Sequence, residues 1–398
     1  MIRPLKGDKT FDAFLALAKN APTPSRINAQ NPTIGKLIVN GTVIAQNDGK
    51  GFGNGNNGGT PPPTPPSPQN GGNSGNDPPK EVYKPIASVP QPGANVPQDV
   101  ADMAGGYQPT TYHWGPQLSD KAEKLLQLLN WVDNVLVEAL MVGHANLTTG
   151  SWKNLYPPTI TNTLGSMGAQ AIVHRSTATD SLSHYQKQIM GNCQYNWPIS
   201  KVEDFTKVVL HIALLEIGLL LDIIASVVST DPWLVGCLAS TLGSKSRMAG
   251  MVNMMQNHIP AAAPREALLP AELVYSYVAN RYVVKDSCPQ KLSYTEYPPL
   301  KISPKGPQKG ADARVTEVEI EIVPAGDHWM AWIGAWGKVW YTKIQNGGNG
   351  KGTASVPNEL SGHVWGVLTN SANVKLEDLE KATVAGPEMV WVTQPGGK

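Results

Sequence analysis

The chain has 398 residues and a formal net charge of +1, its acids and bases nearly balanced. That length allows roughly two or three packed domains, and the charge balance removes any general argument for nucleic acid or an anionic membrane as partner. Charged residues make up only 16%, low for a soluble protein, because Gly, Pro, Asn and Ser are concentrated in one segment.

Residues 1–48 form an N-terminal segment, with a short amphipathic helix predicted around Phe11 to Ala18 and a strand over Lys36 to Ala45. Residues 49–84 read as a linker or exposed loop. Gly51 to Gly59 is flexible in composition, and Pro61 to Pro68 favours stiff polyproline II. No basic residue lies beside the proline run, which argues against an SH3-type ligand. The Gly-rich stretch precedes proline and not a helix, so it is no phosphate cradle.

From Leu118 the helical period takes over. One long helix is predicted from there, with Ser119 placed to cap it and Gly143 to end it. A second is predicted over about 162–189, a third over 202–229, and a fourth from Asp231-Pro232 to about Gln256. Long helices with short or moderate connections make a bundle, here over residues 85–289. A short fifth helix begins near Leu269, with Pro270 in its first turn. The apolar stretch Val208 to Val228 is interrupted by His211, Glu216 and Asp222. It falls short of an uninterrupted run of roughly 18 to 20 residues, so a buried helix is expected and no membrane span.

Residues 290–398 turn to β patterning. Val318, Ile320 and Ile322 alternate with glutamates, which predicts a strand with these three on one face. Met330 to Ile333, Lys338 to Thr342, His363 to Leu368 and Met389 to Val392 are further short strands, separated by Gly and Asn clusters. Such spacing predicts a small antiparallel sandwich. The tryptophans there (Trp329, Trp332, Trp336, Trp340, Trp365, Trp391) are either core or a sugar-binding platform, core being the commoner use.

Of the three cysteines, Cys237 lies in an apolar run and reads as a small buried hydrophobe. Cys193 and Cys288 flank loop sequence and are the better pair for a bridge. Closing that loop would contribute on the order of 4 kcal/mol. Two sequons, at Asn40 and Asn146, are compatible with secretion. The stretch Met1 to Lys9 has no apolar core of signal-peptide length, so the chain reads as cytoplasmic or as a version without a leader.

A helical bundle that binds two metals needs inward carboxylates on two helices and Glu-x-x-His on the other two, the i, i+3 spacing putting both ligands on one face. On the second helix the candidate is Ala171-Ile-Val-His174, with Ala in place of Glu. On the fourth it is Lys245-Ser-Arg-Met248, with Lys for Glu and Met for His. Glu138 and Glu216 are the acids offered by the first and third helices. A cation therefore stands where an anion is required, and neither metal nor cofactor is expected.

Several segments carry a family resemblance. Gly191-Asn-Cys-Gln-Tyr-Asn-Trp-Pro198 follows a His-containing helix and precedes an apolar helix with a central Glu. Ala239-Ser-Thr-Leu-Gly-Ser-Lys-Ser-Arg-Met-Ala249, Leu269 to Ser276, Ser287-Cys288-Pro289 and Val384-Ala-Gly-Pro387 complete the set. Over roughly residues 85–392 the chain resembles the fungal stress-response family termed Rds1-like. That resemblance implies a ferritin-like four-helix bundle with a β appendage, an exported or cell-surface location, and often a metal site. The overall class is then α+β. This chain departs from the family at the ligand positions, so an oxidase role does not carry over.

Glu216 in an apolar stripe demands a partner, and three arrangements are open. Glu216 pairs with Lys245 in a structural network; one metal persists on Glu138, His174 and Glu216; or a desolvated Lys245 acts as base or nucleophile in a vacated pocket. His144, His184, His211 and His258 read as structural or surface residues. The function expected first is a non-enzymatic structural or stress-related protein. An enzyme around His174, Glu216 and Lys245, and a glycan-binding or self-assembling surface module, are the alternatives.

Overall fold

A computed structural model describes residues 83–393 apart from 87, 108, 112, 154–155, 262 and 306–313, together with the strand residues 36–39 and 42–46. The chain divides into two compact units, 1–75 and 76–398. In the first, β1 (Lys36–Val39) pairs antiparallel with β2 (Thr42–Gln46). The single strand expected over Lys36 to Ala45 is thus a hairpin, with Val39 opposite Thr42; Asn-Gly is a strong turn dipeptide. The helix expected at Phe11 to Ala18, the segment 49–82 and Asn40 lie outside the described residues.

The second unit is α+β. Its helical part comprises α1 (Gln98–Ala104), α2 (Asp120–Thr148), α3 (Pro158–His184), α4 (Val202–Val227), α5 (Pro232–Met255) and α6 (Ala271–Arg281). Helix α2 packs on α3 and α4, α5 packs on α4 and α3, and α6 lies against α4 and α2. The result is a bundle-like layer with a large apolar core. Ser119 caps α2 as expected, its Oγ accepting from Ala122 N at 3.2 Å. Asp231 ties this helix start to that of α5, accepting from Ser119 N at 3.0 Å and Ser119 Oγ at 2.6 Å.

Gly143 does not end α2, which continues to Thr148. A Cβ at this glycine would lie 2.1–2.4 Å from ring carbons of Phe205. The glycine is there to let α4 approach, not to break the helix. Helix α3 begins a turn earlier than expected, with Pro158 in its first turn, and stops at His184 instead of Ile189. Just beyond it Gln186 turns into the left-handed region at φ 55. The chain then crosses α2, where Asn130 accepts from Met190 N at 2.7 Å and Asn134 Nδ2 donates to Met190 O at 3.0 Å. Pro270 occupies the residue before α6, not its first turn.

Helices α2 and α4 are long and apolar enough to cross a membrane by length and composition alone, which the reading of interrupted runs did not anticipate. Their apolar windows are 78% and 72% buried inside the protein. They behave as core helices.

The β part has two four-stranded antiparallel sheets. One has the order β10-β9-β5-β6, from β5 (Trp329–Ile333), β6 (Val339–Lys343), β9 (Gly362–Thr369) and β10 (Thr383–Val392). The other has the order β3-β4-β8-β7, from β3 (Ile302–Pro304), β4 (Glu317–Ile320), β7 (Gln345–Gly348) and β8 (Lys351–Ser355). A short helix, α7 (Leu379–Ala382), precedes β10. Alternation sorts the side chains of β5 and β9: Met330, Trp332, Val364 and Leu368 join the core between the sheets, while Ala331, Ile333, Trp365 and Val367 join the helical core. The first sheet is therefore buried on both faces. Arg281 of α6 pairs with Glu388 of β10 across the same seam.

Val318 and Ile320 are buried as expected, but Ile322 is 69% exposed. β4 ends at Ile320, and the buried place passes to Val323. One residue out of phase puts a side chain on the opposite face.

Candidate functional site

Three helices bring charged side chains to one point in the helical core. Lys245 of α5 places Nζ 2.5 Å from Glu216 Oε2 of α4 and 3.1 Å from Asp133 Oδ1 of α2. The side chains of Lys245 and Glu216 have no exposed surface, and that of Asp133 is 2% exposed. Around them the same helices supply buried Leu129, Leu136, Val137, Ile212, Ala213, Leu219 and Met248, the i±3 and i±4 neighbours that share a helix face. Each residue of the trio is thus held by the apolar stripe it interrupts.

Electrostatics follow from that burial. Glu216 is pushed up to about 8, first by loss of water and further by the Asp133 carboxylate, with Lys245 opposing. Burial alone would lower the Lys245 ammonium, but the two carboxylates outweigh it and its pKa is raised. One cation faces two carboxyls, and the neutral arrangement is ammonium, one carboxylate and one protonated carboxyl. Glu216 Oε1 is buried without a hydrogen-bond partner.

The candidate residues divide. Glu216 and Lys245 meet as the pairing reading expected. His174 on α3 lies near enough to feel Lys245 and Arg247: burial first, then these charges, hold its pKa down to about 3. It is therefore neutral at ordinary pH, and its Nδ1 is buried without a partner. Glu138 is not at this point. It turns toward Asn192, whose Nδ2 donates at 3.4 Å, and its carboxyl is raised by burial with Arg175 opposing. Arg175 in turn donates to Asn134 Oδ1 at 3.1 Å and Pro90 O at 2.5 Å.

Asp133 is not among the residues that the two-metal pattern singles out, because Glu138 already supplies an acid on this helix; yet Asn130, Asp133 and Asn134 at i, i+3 and i+4 form a polar face within an apolar run. That interruption was the available signal.

A metal bound through Glu138, His174 and Glu216 does not fit this arrangement. Among the described residues no three His, Cys, Asp or Glu side chains are grouped to hold an ion. The place between Glu216 and Asp133 is taken by an ammonium. A half-open cavity of about 600 Å³ does reach His174, beside Thr177, Cys237 and Arg247, but neither Glu216 nor Lys245 lines it.

Cys193 and Cys288 form a disulfide, and Cys237 is free. The indole N–H of Trp131 points at both bridged sulfurs, 3.2 Å from Cys193 and 3.5 Å from Cys288. Asn146 sits in the last turns of α2, its Nδ2 donating to Val142 O at 2.8 Å. The six tryptophans of the β part share no single surface. Trp332 and Trp365 are buried in different cores, Trp391 stacks on His258 with ring centroids 4.0 Å apart, and Trp336 is 53% exposed. No family model matches the chain, and no curated protein matches it.

Proposed function

We propose that this chain is a non-enzymatic structural or stress-related protein on a ferritin-like four-helix bundle, in which an ammonium has taken the place of a two-metal centre. The observation that carries the reading is Lys245, sealed between Glu216 and Asp133 at 2.5 and 3.1 Å. A divalent ion between those carboxylates would meet a like charge at contact distance in a low-dielectric interior. Catalysis there would need access for substrate, and Glu216 and Lys245 have no exposed surface.

The resemblance to the Rds1-like family supports the bundle assignment and an exported or cell-surface location. The Cys193–Cys288 bridge fits an oxidising compartment. With its tryptophans dispersed, the β part reads as a buttress for the helices and not as a glycan platform.

The test is metal content by elemental mass spectrometry on natively purified protein, with and without added iron. Iron, manganese and zinc should all be well below one per chain. A stoichiometric metal would overturn the reading.

A further inference from the structure

We propose that the cavity at the seam between the helices and the first sheet binds a monocarboxylate with an apolar tail, such as a fatty acid, its head held by Arg247 and Arg265. The inference is independent of the charged trio, because neither Glu216 nor Lys245 lines this cavity.

The cavity is half-open, with a volume of about 560 Å³, and small-molecule sites usually span roughly 300–1,000 Å³. Helices α4 and α5, the chain around Arg265, the residues just after β5 and the first half of β9 enclose it. Its inner wall is apolar: Leu214 and Ile217 of α4, Ala249 of α5 and Trp365 of β9 line it and are buried. On the same wall Asn253 Oδ1 and His363 Nε2 bond to each other at 2.7 Å. Burial first, then His258, hold His363 down to about 3, so it is neutral and adds no charge.

Charge gathers at the opening, where Arg247 and Arg265 line the cavity and are exposed. The other described arginines are satisfied by the protein itself. Arg281 pairs with Glu388, Arg175 donates to Asn134 Oδ1 at 3.1 Å, and Arg314 donates to Leu360 O at 2.8 Å. Among the described residues Arg247 and Arg265 have no such partner. The acid beside them is Glu266, whose carboxyl is raised by burial with Ser246 opposing. Two cations against one acid leave the opening short of a single negative charge. A carboxylate supplies it and meets a guanidinium through paired hydrogen bonds.

The rim carries the apolar wall outward. Met254 lines the cavity and is 62% exposed. Trp336 follows Gly334 and Ala335 of the lining and donates from its backbone N to Glu266 O at 2.9 Å. It is 53% exposed and has φ 40, a left-handed conformation that a bulky residue adopts only under strain. A tail running from the arginines past this indole toward Ile217 and Trp365 gives both the charged opening and the apolar wall a partner.

The experiment is isothermal titration of the full chain, stripped of lipid, with decanoate, decanol and decyltrimethylammonium, each below its aggregation limit. Decanoate should saturate a single site. Decanol, lacking the charged contact, should bind roughly tenfold more weakly or worse, and the cation more weakly still. Arg247→Gln combined with Arg265→Gln should bring decanoate to the level of decanol and leave decanol unchanged. Both side chains are exposed, so the fold should be kept, and an unaltered thermal melt checks that. Trp336→Ala should weaken decanoate and decanol alike. The inference is overturned if decanoate does not saturate, if all three bind equally, or if decanoate binding survives the loss of both arginines.

Discussion

Between the two sheets, Met330, Trp332, Val364 and Leu368 meet as apolar surfaces, and the indole N–H of Trp332 is satisfied at the edge by Thr342 Oγ1 at 2.9 Å. At the centre of the helices, by contrast, an ammonium and two carboxyls are buried together. The ladder and the alternation of side chains already fix how strands pair, since a slip of one residue would carry every side chain to the opposite face of its sheet. A helix stripe of Leu, Val and Ile has no such constraint and can shift by a turn at modest cost. One charged trio, complete at a single register, removes that freedom. The β core can therefore be apolar throughout, whereas the helical core gains uniqueness from charge.

Lys245→Met attacks that difference most directly. It leaves Asp133 and Glu216 facing each other without a cation, and unfolding free energy should fall by about 3–5 kcal/mol. Adding Asp133→Leu and Glu216→Leu to the same chain should recover most of that loss, because the fault is uncompensated charge and not lost shape. Urea melts of the single and triple variants make the comparison. A triple variant no more stable than the single would mean that packing around Lys245, not its charge, is what matters.

The sequence disclosed much of this centre and hid one part of it. Glu216 is conspicuous because a carboxylate in an apolar helix needs a partner, and Lys245 because it stands where an acid would be required. Asp133 was obscured by Glu138, which sits in an equally apolar stretch but faces Asn192 and Arg175 instead. Which face of a helix points inward over its later turns depends on packing angles that no local pattern records. The same holds for Gly143, whose role exists only against Phe205 of another helix. In the β part, Gln345–Gly348 and Lys351–Ser355 looked like spacers, because Gly and Asn are poor strand formers. Strand pairing with β4 and with each other overrides that preference. The Ser119 cap and the pairing of Cys193 with Cys288 were legible because each depends on residue type at a recognisable boundary.

Glycines test the comparison on a smaller scale. Gly143→Ala must displace the Phe205 ring, whose carbons would lie 2.1–2.4 Å from the new methyl, and should cost about 1–3 kcal/mol by overpacking. Gly366→Ala in β9 meets Met330, Ile302 and Trp332 side chains at 3.2–3.3 Å. A shift of a few tenths of an ångström relieves that contact, and Ala gains roughly 0.5–1 kcal/mol over Gly in a strand. Thermal unfolding should therefore show a clear loss for Gly143→Ala and a change within about 1 kcal/mol for Gly366→Ala. Equal losses would mean that the β core is packed as tightly as the helical one.

The smallest expected effect lies near the seam between the two parts. Glu272 of α6 is pushed up to about 7, first by burial and further by Glu380 of α7 and Asp222 of α4. Asp222 is itself raised to about 6, chiefly by burial. A carboxyl whose folded pKa lies above its unfolded value holds its proton more tightly when folded. Its stabilising contribution is complete below the unfolded value, near 4.5 for Glu272, and is lost as pH rises through about 7. Glutamine keeps the shape and a donor but cannot ionise. Glu272→Gln should therefore match the parent at pH near 4.5 and exceed it above neutrality by on the order of 1 kcal/mol, after allowance for partial solvent screening. Urea melts across that range would show two curves that diverge upward in pH. Parallel curves would mean that water reaches Glu272 freely, and the seam would then be as solvated as the surface.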